Sequence, residues 1–230
     1  MKNDPIIAVE GLNRTFADGD AEFHALRDIH LRVEAGECLV LKGVSGSGKT
    51  TLLSILAGLD RPTSGKVLVA GEAIAKLPDW HASQFRAQQI GMIFQHYNLM
   101  EHLSVEENAM VPLIPTGLDA DAIAQRVDAA LHQANIAHKR ATPAARLSGG
   151  EKQRASIARA LASDPAVIVC DEPTANLDRA NSLRFIEILG ELHAAGKTIV
   201  IATHDPLFDA LPFDARVVEM EDGEIMGHKG

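Results

Sequence analysis

The sequence predicts an α/β fold built around a parallel sheet. An uninterrupted apolar run, 166–170, and a second strand-like run, 198–202, which is apolar after Thr198, are typical of strands that are covered on both faces. A glycine-rich turn, 43–50, lies between a third strand-like run and a helical pattern. A helical pattern also separates the two apolar runs, as in a strand–helix–strand unit. With 230 residues, 46% of them hydrophobic, the chain can form one large α/β domain or two small ones.

In the N-terminal half the apolar runs are short and separated by turn residues. We predict strands over 6–10, 29–33 and 37–42, with a turn at 34–36. A helix is predicted over 49–59, because Leu52, Leu56 and Leu59 recur at helical spacing and give it one buried face. The further strands predicted in this half are 66–69 and 90–94.

The second half begins with a stretch, 98–146, that shows no strand pattern. Residues 121–135 have apolar positions on one helical face, so this stretch reads as a helical insertion. Glycine and proline then mark the ends of two further helices, 151–163 and 182–195. The chain closes on strands 216–220 and 224–226, which flank an Asp222-Gly223 hairpin turn.

Composition excludes several classes of protein. The net charge of −9 argues against a general nucleic-acid binder, so no nucleic-acid partner is expected. Cys38 and Cys170 both lie in apolar runs and offer no metal-ligand spacing. No apolar run approaches the roughly 20 residues of a membrane-spanning helix, and residues 1–10 lack the pattern of a signal peptide. We therefore expect the chain to remain in the cytoplasm.

The glycine-rich turn fits the pattern G-x-x-x-x-G-K-[ST] in full. Because it follows a strand and opens a helix, its glycines can wrap a triphosphate with backbone N–H groups. Lys49 supplies a cation for the β- and γ-phosphates, and the Thr50 hydroxyl is a ligand for Mg²⁺. The alternative is a chance glycine–serine turn. The residues of this turn predicted to bind the nucleotide are Gly43, Ser45, Gly46, Ser47, Gly48, Lys49, Thr50 and Thr51.

Two acidic residues follow the apolar strand 166–170. Ligands of open α/β sheets bind beyond the carboxyl ends of the strands, so Asp171 is placed to hold Mg²⁺. Glu172 lies one residue further on, which suits a general base that polarises an attacking water. The alternative is a pair of solvated loop residues.

A second glycine turn, Ser148-Gly149-Gly150, precedes another helix without a lysine. It can direct backbone N–H groups and a hydroxyl at an anion. Equally, Ser148 followed three residues later by Glu151 forms a capping box, an ordinary helix start. The spacing alone leaves both interpretations open.

Together these motifs resemble those of the ATP-binding-cassette (ABC) ATPases. Residues 147–151, Leu-Ser-Gly-Gly-Glu, look like the family's signature motif. Gln95 resembles the Q-loop glutamine, 175–178 the D-loop with Asp178, and His204 the switch histidine. The resemblance runs from about residue 6 to residue 226. It implies a P-loop NTPase with a RecA-like parallel core, an N-terminal antiparallel β-subdomain and a helical subdomain.

The resemblance also implies a single ABC ATPase domain over residues 1–230. Its core would comprise about 1–95 and 155–230, and its helical subdomain about 96–154. The family stacks adenine on an N-terminal tyrosine. The matching residue here is Phe16, which keeps the aromatic face and loses only the hydroxyl; a purely structural role in the core is the alternative.

In this family two copies pack head to tail around two ATP molecules, so the resemblance implies a homodimer on ATP binding, with ATP and Mg²⁺ as cofactors. The implied catalytic residues are Glu172, His204 and Gln95. The implied Mg²⁺ ligands are Thr50, Gln95 and Asp171. The implied contacts to the partner's ATP are Ser148, Gly149, Gly150 and Glu151, with Asp178 acting across the interface.

Residues 76–89, 94–100 and 103–108 look like the branch of lipoprotein-releasing and macrolide-export ATPases, the LolD/MacB-like branch. This implies an FtsX/MacB-like integral membrane permease that docks near residues 96–111. The ATPase would then be peripheral, on the cytoplasmic face of the inner membrane, and would power export or mechanical transmission. One alternative is a regulatory ABC ATPase that acts on a cell-envelope or division partner without transport. Another is an ATPase head that works on DNA, which the acidic charge and the lack of sustained heptads disfavour.

Overall fold

Strands of the computed structural model, which describes residues 4–19 and 21–226, form two sheets. The first three of the residues tested above for a signal peptide lie outside the described part. The strands are β1 (Ile7–Asp18), β2 (Ala21–Val33), β3 (Cys38–Lys42), β4 (Ser64–Val69), β5 (Glu72–Ala73), β6 (Ile90–Ile93), β7 (Val167–Asp171), β8 (Thr198–Thr203), β9 (Arg216–Glu221) and β10 (Glu224–Ile225).

The larger sheet has the strand order β10-β9-β3-β8-β7-β6, and all its neighbours except β9 and β10 run parallel. Successive residues of β3 enter different clusters of the core. Leu39 and Leu41 pack on one face of the sheet, whereas Cys38 and Val40 pack on the other. Both faces are therefore covered, which explains the apolar character of runs 166–170 and 198–202 and confirms the predicted α/β class.

The smaller sheet is antiparallel, in the order β2-β1-β4-β5. Strands β1 and β2 are much longer than the strands predicted over 6–10 and 29–33. Their outer halves form an exposed hairpin, and register shifts interrupt the pairing between Val9 and Thr15. Bulges break the alternation of apolar and polar residues, so no strand pattern was visible there.

The helices of the described residues are α1 (Lys49–Leu56), α2 (Asp79–Gln89), α3 (Val105–Met110), α4 (Ala120–Gln133), α5 (Gly149–Leu161) and α6 (Arg179–Ala194). Helix α1 is shorter than the predicted 49–59, and Gly58 beyond it has a left-handed backbone (φ +67°). The prediction missed α2, because Phe85 is its buried residue and one apolar position makes no periodic pattern.

The segment between β6 and β7 is helical, as predicted, apart from an isolated bridge between Ser104 and Pro143. Its apolar residues, such as Val105 and Leu131, share a core cluster with Ile168 of the larger sheet. The insertion is thus packed on one face of that sheet through α5. Among the described residues, no helix combines the length and the apolar character needed to cross a bilayer.

Candidate functional site

The glycine-rich turn, predicted to bind phosphate, joins the end of β3 to the first residue of α1. Gly46 and Gly48 have left-handed backbones, with φ of +85° and +96°. A Cβ atom at Gly48 would lie 2.6 Å from the carbonyl oxygen of Ala25, and one at Gly46 would meet open space. The turn therefore needs glycine at both positions for its conformation, and at Gly48 for close packing as well.

A cleft of about 290 Å³ opens beside this turn and gathers separate segments of the chain. It is lined by Phe23, Ala25, Ser45, Gly46, Ser47, Gly48, Lys49, Thr50, Thr51, Gln95, Glu172 and His204. Most of the predicted nucleotide and catalytic residues thus meet at the carboxyl ends of the parallel strands. A larger cleft of about 570 Å³ lies near the amino ends of β7 and β8 and contains none of these residues.

Lys49 is fixed inside the turn, and its side chain is 5% exposed. Its ammonium donates hydrogen bonds to the carbonyl oxygens of Gly43 (2.8 Å) and Val44 (2.9 Å). It also lies 3.9 Å from the Glu172 carboxylate. Burial lowers the pKa of Lys49, while Glu172 and Asp171 act in the opposite direction. The turn therefore holds a buried, fixed cation at the cleft.

Asp171 is the last residue of β7, and its Oδ1 accepts a 2.9 Å hydrogen bond from the Thr50 hydroxyl. Burial, with repulsion from Glu172, raises the pKa of Asp171, and the Thr50 bond and Lys49 oppose this. A hydroxyl and a carboxylate in contact are oxygen ligands of the kind that Mg²⁺ uses alongside phosphates and water. The residues present therefore fit this ion, and Gln95 lines the cleft together with Thr50.

Glu172 is held in an unusual backbone conformation by the neighbouring strand β8. Its φ is +44°, and its N–H donates to the Ala202 carbonyl at 2.8 Å. Its Oε2 accepts from the Thr203 hydroxyl (3.1 Å) and from the backbone N–H of His204 (3.3 Å). Its Oε1 lies 2.9 Å from His204 Nδ1, which carries the proton of this bond because an ionised carboxylate only accepts. This geometry suits a fixed base with a histidine beside it.

The Q-loop, residues 95–98, is hydrogen-bonded to Asn176 of the D-loop and to α5 by contacts that the sequence did not predict. Asn176 donates to the Gln95 carbonyl at 2.8 Å, and the Tyr97 hydroxyl lies 3.4 Å from the Asn176 carbonyl. The Arg159 guanidinium on α5 donates to the carbonyls of Tyr97 (2.7 Å) and Asn98, both of which have left-handed backbones. Burial lowers the pKa of Arg159 to about 10. The available signal was the position of Arg159 between apolar residues of a helix.

The second glycine turn is a helix cap, as the simpler interpretation predicted. Ser148 accepts from the Glu151 N–H, and Glu151 accepts from the Ser148 N–H, so the capping box is complete. Ser148 and Gly149 remain exposed, outside the lining of the cleft. A Cβ atom at Gly150 would lie 2.3 Å from Asn181 Oδ1. The cap thus leaves Ser148 and Gly149 exposed, whereas Gly150 packs closely against Asn181 of α6.

Asp178 lies beside this turn as the cap of α6. Its carboxylate accepts from the backbone N–H (2.8 Å) and the side-chain amide (3.0 Å) of Asn181. The backbone hydrogen bond from Asn181 lowers the pKa of Asp178. A further connection comes from Gln153 of α5, which donates to the Pro173 carbonyl at 3.0 Å, one residue after Glu172. Helix α5 is therefore hydrogen-bonded to the loop that follows Asp171 and Glu172.

Phe16 and Phe23 of the N-terminal hairpin occupy opposite positions on the paired strands β1 and β2. Phe16 pairs with Phe23, and the Arg14 guanidinium lies 4.1 Å from the centre of the Phe16 ring. Phe23 lines the cleft, whereas Phe16 does not. The role of Phe16 in adenine stacking stays a prediction. Phe23 was missed, because its position beside the cleft depends on the hairpin pairing.

Known proteins have sequences similar to that of this chain. The family model described as "ABC transporter" matches residues 26–175. A probable export ATP-binding/permease protein MacB of Pseudomonas entomophila (strain L48) is 40% identical over 222 residues, 96% of this chain and 33% of that protein. The macrolide export protein MacB of Rhodopseudomonas palustris (strain BisB18) is 41% identical over 223 residues, 97% of this chain and 34% of that protein. The chain spans about a third of the length of these relatives.

Solved structures agree. The dimeric post-hydrolysis state of the ATP-binding cassette MJ0796, bound to ADP and Pi, has a TM-score of 0.87 and 32% identity, covering 96% of this chain and 97% of that one. For cbiO1 of Clostridium perfringens the TM-score is 0.84 and the identity 34%, over 98% of this chain and 88% of that one. The motifs, the fold and these matches lead to one conclusion: the chain belongs to the ABC transporter family and is an ABC ATPase.

Proposed function

We propose that two copies of this chain bind two ATP molecules head to tail, and that hydrolysis drives a separate membrane permease in export or mechanical transmission. The observation that carries this proposal is the incomplete site. The cleft contains the phosphate turn and Glu172, whereas the exposed Ser148-Gly149 turn lies outside it. A second copy can bring its turn to the open side of the cleft. The dimeric state of MJ0796 with ADP and Pi supports this arrangement.

In the proposed reaction, the turn and Lys49 bind the phosphates through N–H groups and a buried cation. Glu172 takes the proton of the attacking water, and its bonds to Thr203 and His204 keep the carboxylate in place. Mg²⁺, held by Thr50, Asp171 and Gln95, would neutralise phosphate charge. Asp178 would act at the interface, and Phe16 would contact adenine.

The permease is proposed to dock near residues 96–111, on the helical subdomain, which we place at about 96–154. The buried Asn108 makes this segment rigid, because its side chain bonds the main chain of Met100, Leu103 and Ser104. Met100 and Met110 remain exposed there, and adaptable methionines suit a binding surface. Through the permease, the ATPase would lie on the cytoplasmic face of the inner membrane. The export names of the relatives favour transport over the regulatory alternative.

Substitution of Ser148 by Arg tests the composite site. Its side chain would fill the space needed by the partner's nucleotide, so we expect hydrolysis to be lost while the monomer still binds a fluorescent ATP analogue. Asp119→Arg is the control, because it places the same side chain at the exposed cap of α4. It should hydrolyse ATP normally. Loss of nucleotide binding by the Ser148→Arg monomer would contradict the cross-dimer role.

The permease is tested by co-purification from solubilised membranes. We expect a membrane protein with the native chain and none with Met100→Glu/Met110→Glu, whose ATP binding should be unchanged. Recovery of no membrane protein with the native chain would contradict the transport proposal. Recovery of a cell-division protein without a transport pathway would favour the regulatory alternative.

A further inference from the structure

The signature turn has a carboxylate within hydrogen-bond reach of its own serine. The Ser148 hydroxyl donates to Glu151 Oε2 at 2.9 Å, and the Ser148 N–H donates to the same oxygen at 2.8 Å. In the single chain the hydroxyl is thus engaged with Glu151. To bind a phosphate of a partner's ATP it has to turn away from a carboxylate that stays close by. Carboxylate and phosphate are both anions, so their approach is unfavourable unless the carboxylate is compensated.

The compensating charge is Lys139. Its Nζ lies 3.0 Å from Glu151 Oε1, the oxygen that Ser148 does not use. Lys139 ends a short 3₁₀ turn, Ala137–Lys139, whose backbone is fixed by bonds to Ile136 (2.9 Å) and Thr142 (2.7 Å). The Ser148 N–H and then Lys139 lower the pKa of Glu151 to about 2. The carboxylate is therefore ionised at neutral pH and is paired on both of its oxygens.

We propose that Lys139 is a positioning residue of the signature turn, which neutralises Glu151 while the Ser148 hydroxyl turns to the γ-phosphate of the ATP bound by the partner copy. This inference rests on the head-to-tail dimer proposed above. Without Lys139, an uncompensated carboxylate faces a triphosphate across the interface. ATP-driven association then weakens, although the chain's own phosphate turn is intact.

The alternative is a structural role, in which the ion pair only attaches the 3₁₀ turn to α5. The two roles differ in whether removal of the negative charge repairs the loss of the positive one. Glu151→Gln keeps the capping box, because glutamine serves at that position as well as glutamate. It therefore removes the repulsion without removing the helix cap. A double-mutant cycle of Lys139 and Glu151 separates the two roles.

The experiment uses the full chain in a Glu172→Gln background, because we expect this substitution to slow hydrolysis. It measures by light scattering the protein concentration at half-maximal dimer with saturating Mg²⁺ and ATP. We expect Lys139→Met to raise this concentration about tenfold, a typical order for an uncompensated like-charge contact. Lys139→Arg should stay within about threefold of the parent, and Lys139→Met/Glu151→Gln should return to within about threefold. Glu151→Gln alone completes the cycle.

Lys152→Met is the matched control. It removes one cation from the turn of α5 that carries Glu151, and its side chain is 27% exposed against 38% for Lys139, but its ion-pair partner is Glu101, at 3.8 Å. It should dimerise within about threefold of the parent. Equal dimerisation of Lys139→Met and the parent overturns the inference, and so does a defect that Glu151→Gln leaves in place. If the parent itself forms no dimer with ATP, the head-to-tail proposal fails, and the inference falls with it.

Discussion

Replacement of Glu172 by Gln changes the charge of the proposed base and little of its surroundings. The amide oxygen of glutamine can still accept from Thr203 and from the backbone of His204. The bond to His204 Nδ1 survives if the imidazole shifts its proton to the other nitrogen, so that Nδ1 accepts from the amide. We therefore expect a loss of about 1 kcal/mol or less in the free energy of unfolding, a few degrees in Tm for a chain of this size.

The rate should fall much further than the stability. Loss of a general base costs on the order of 100- to 10,000-fold, so hydrolysis by Glu172→Gln should slow at least ~100-fold, equivalent to ~2.7 kcal/mol in the activation barrier. ATP affinity should be retained, because Lys49 keeps its contacts with Gly43 and Val44. Removal of one negative charge from the cleft also favours a triphosphate. ATP-bound dimers should therefore accumulate.

Three assays separate these effects. Phosphate release in a single turnover measures hydrolysis, an ATP-binding assay measures affinity, and a dimer assay measures the accumulation of ATP-bound dimers. Glu37→Gln is the control: its carboxylate is 21% exposed, against 15% for Glu172, and is bonded to Arg216 at the amino end of β3. It removes the same charge far along the strand from the phosphate turn and should leave turnover near normal. Near-normal turnover in Glu172→Gln refutes the assignment of the base. Equal slowing in Glu37→Gln would mean that charge removal in general, and not the base, sets the rate.

Two further predictions concern the same cleft. Gly48→Ala should lower the free energy of unfolding by at least about 2 kcal/mol in urea, because the new Cβ atom meets the Ala25 carbonyl in addition to the backbone strain. Gly46→Ala introduces the backbone strain alone and should lower this free energy by less. Equal urea midpoints for the two variants would contradict the packing argument. Asp171→Asn should raise Tm of the nucleotide-free protein at pH 7 and abolish Mg²⁺-dependent hydrolysis. Folding raises the pKa of Asp171 above its ordinary value of 3.8. The free energy of unfolding of the native chain therefore falls as the pH rises from 3.8 through the pKa of the folded state, because the ionised carboxylate is disfavoured in the native protein. The Tm advantage of Asn should disappear below about pH 4.

The sheet strands and the main helices were predictable because their signals are local. An uninterrupted apolar run or a 3.6-residue period records the burial of neighbouring residues, which is why β7, β8 and α5 were placed within two residues. The outer hairpin of β1 and β2 was missed for the opposite reason. It is exposed and bulged, so pairing between strands, and not burial, holds it together.

The site divides in the same way. By itself the sequence located the glycine-rich turn and the acidic pair and determined the family, because each motif is a short segment whose backbone geometry and ligand chemistry restrict the residue types. Only the tertiary structure decided which residues support those motifs: Phe23 at the cleft, Arg159 under the Q-loop and Lys139 beside Glu151. These contacts join residues that are distant along the chain or belong to different elements. Their partners are therefore selected by how sheets and helices pack, which no local pattern records.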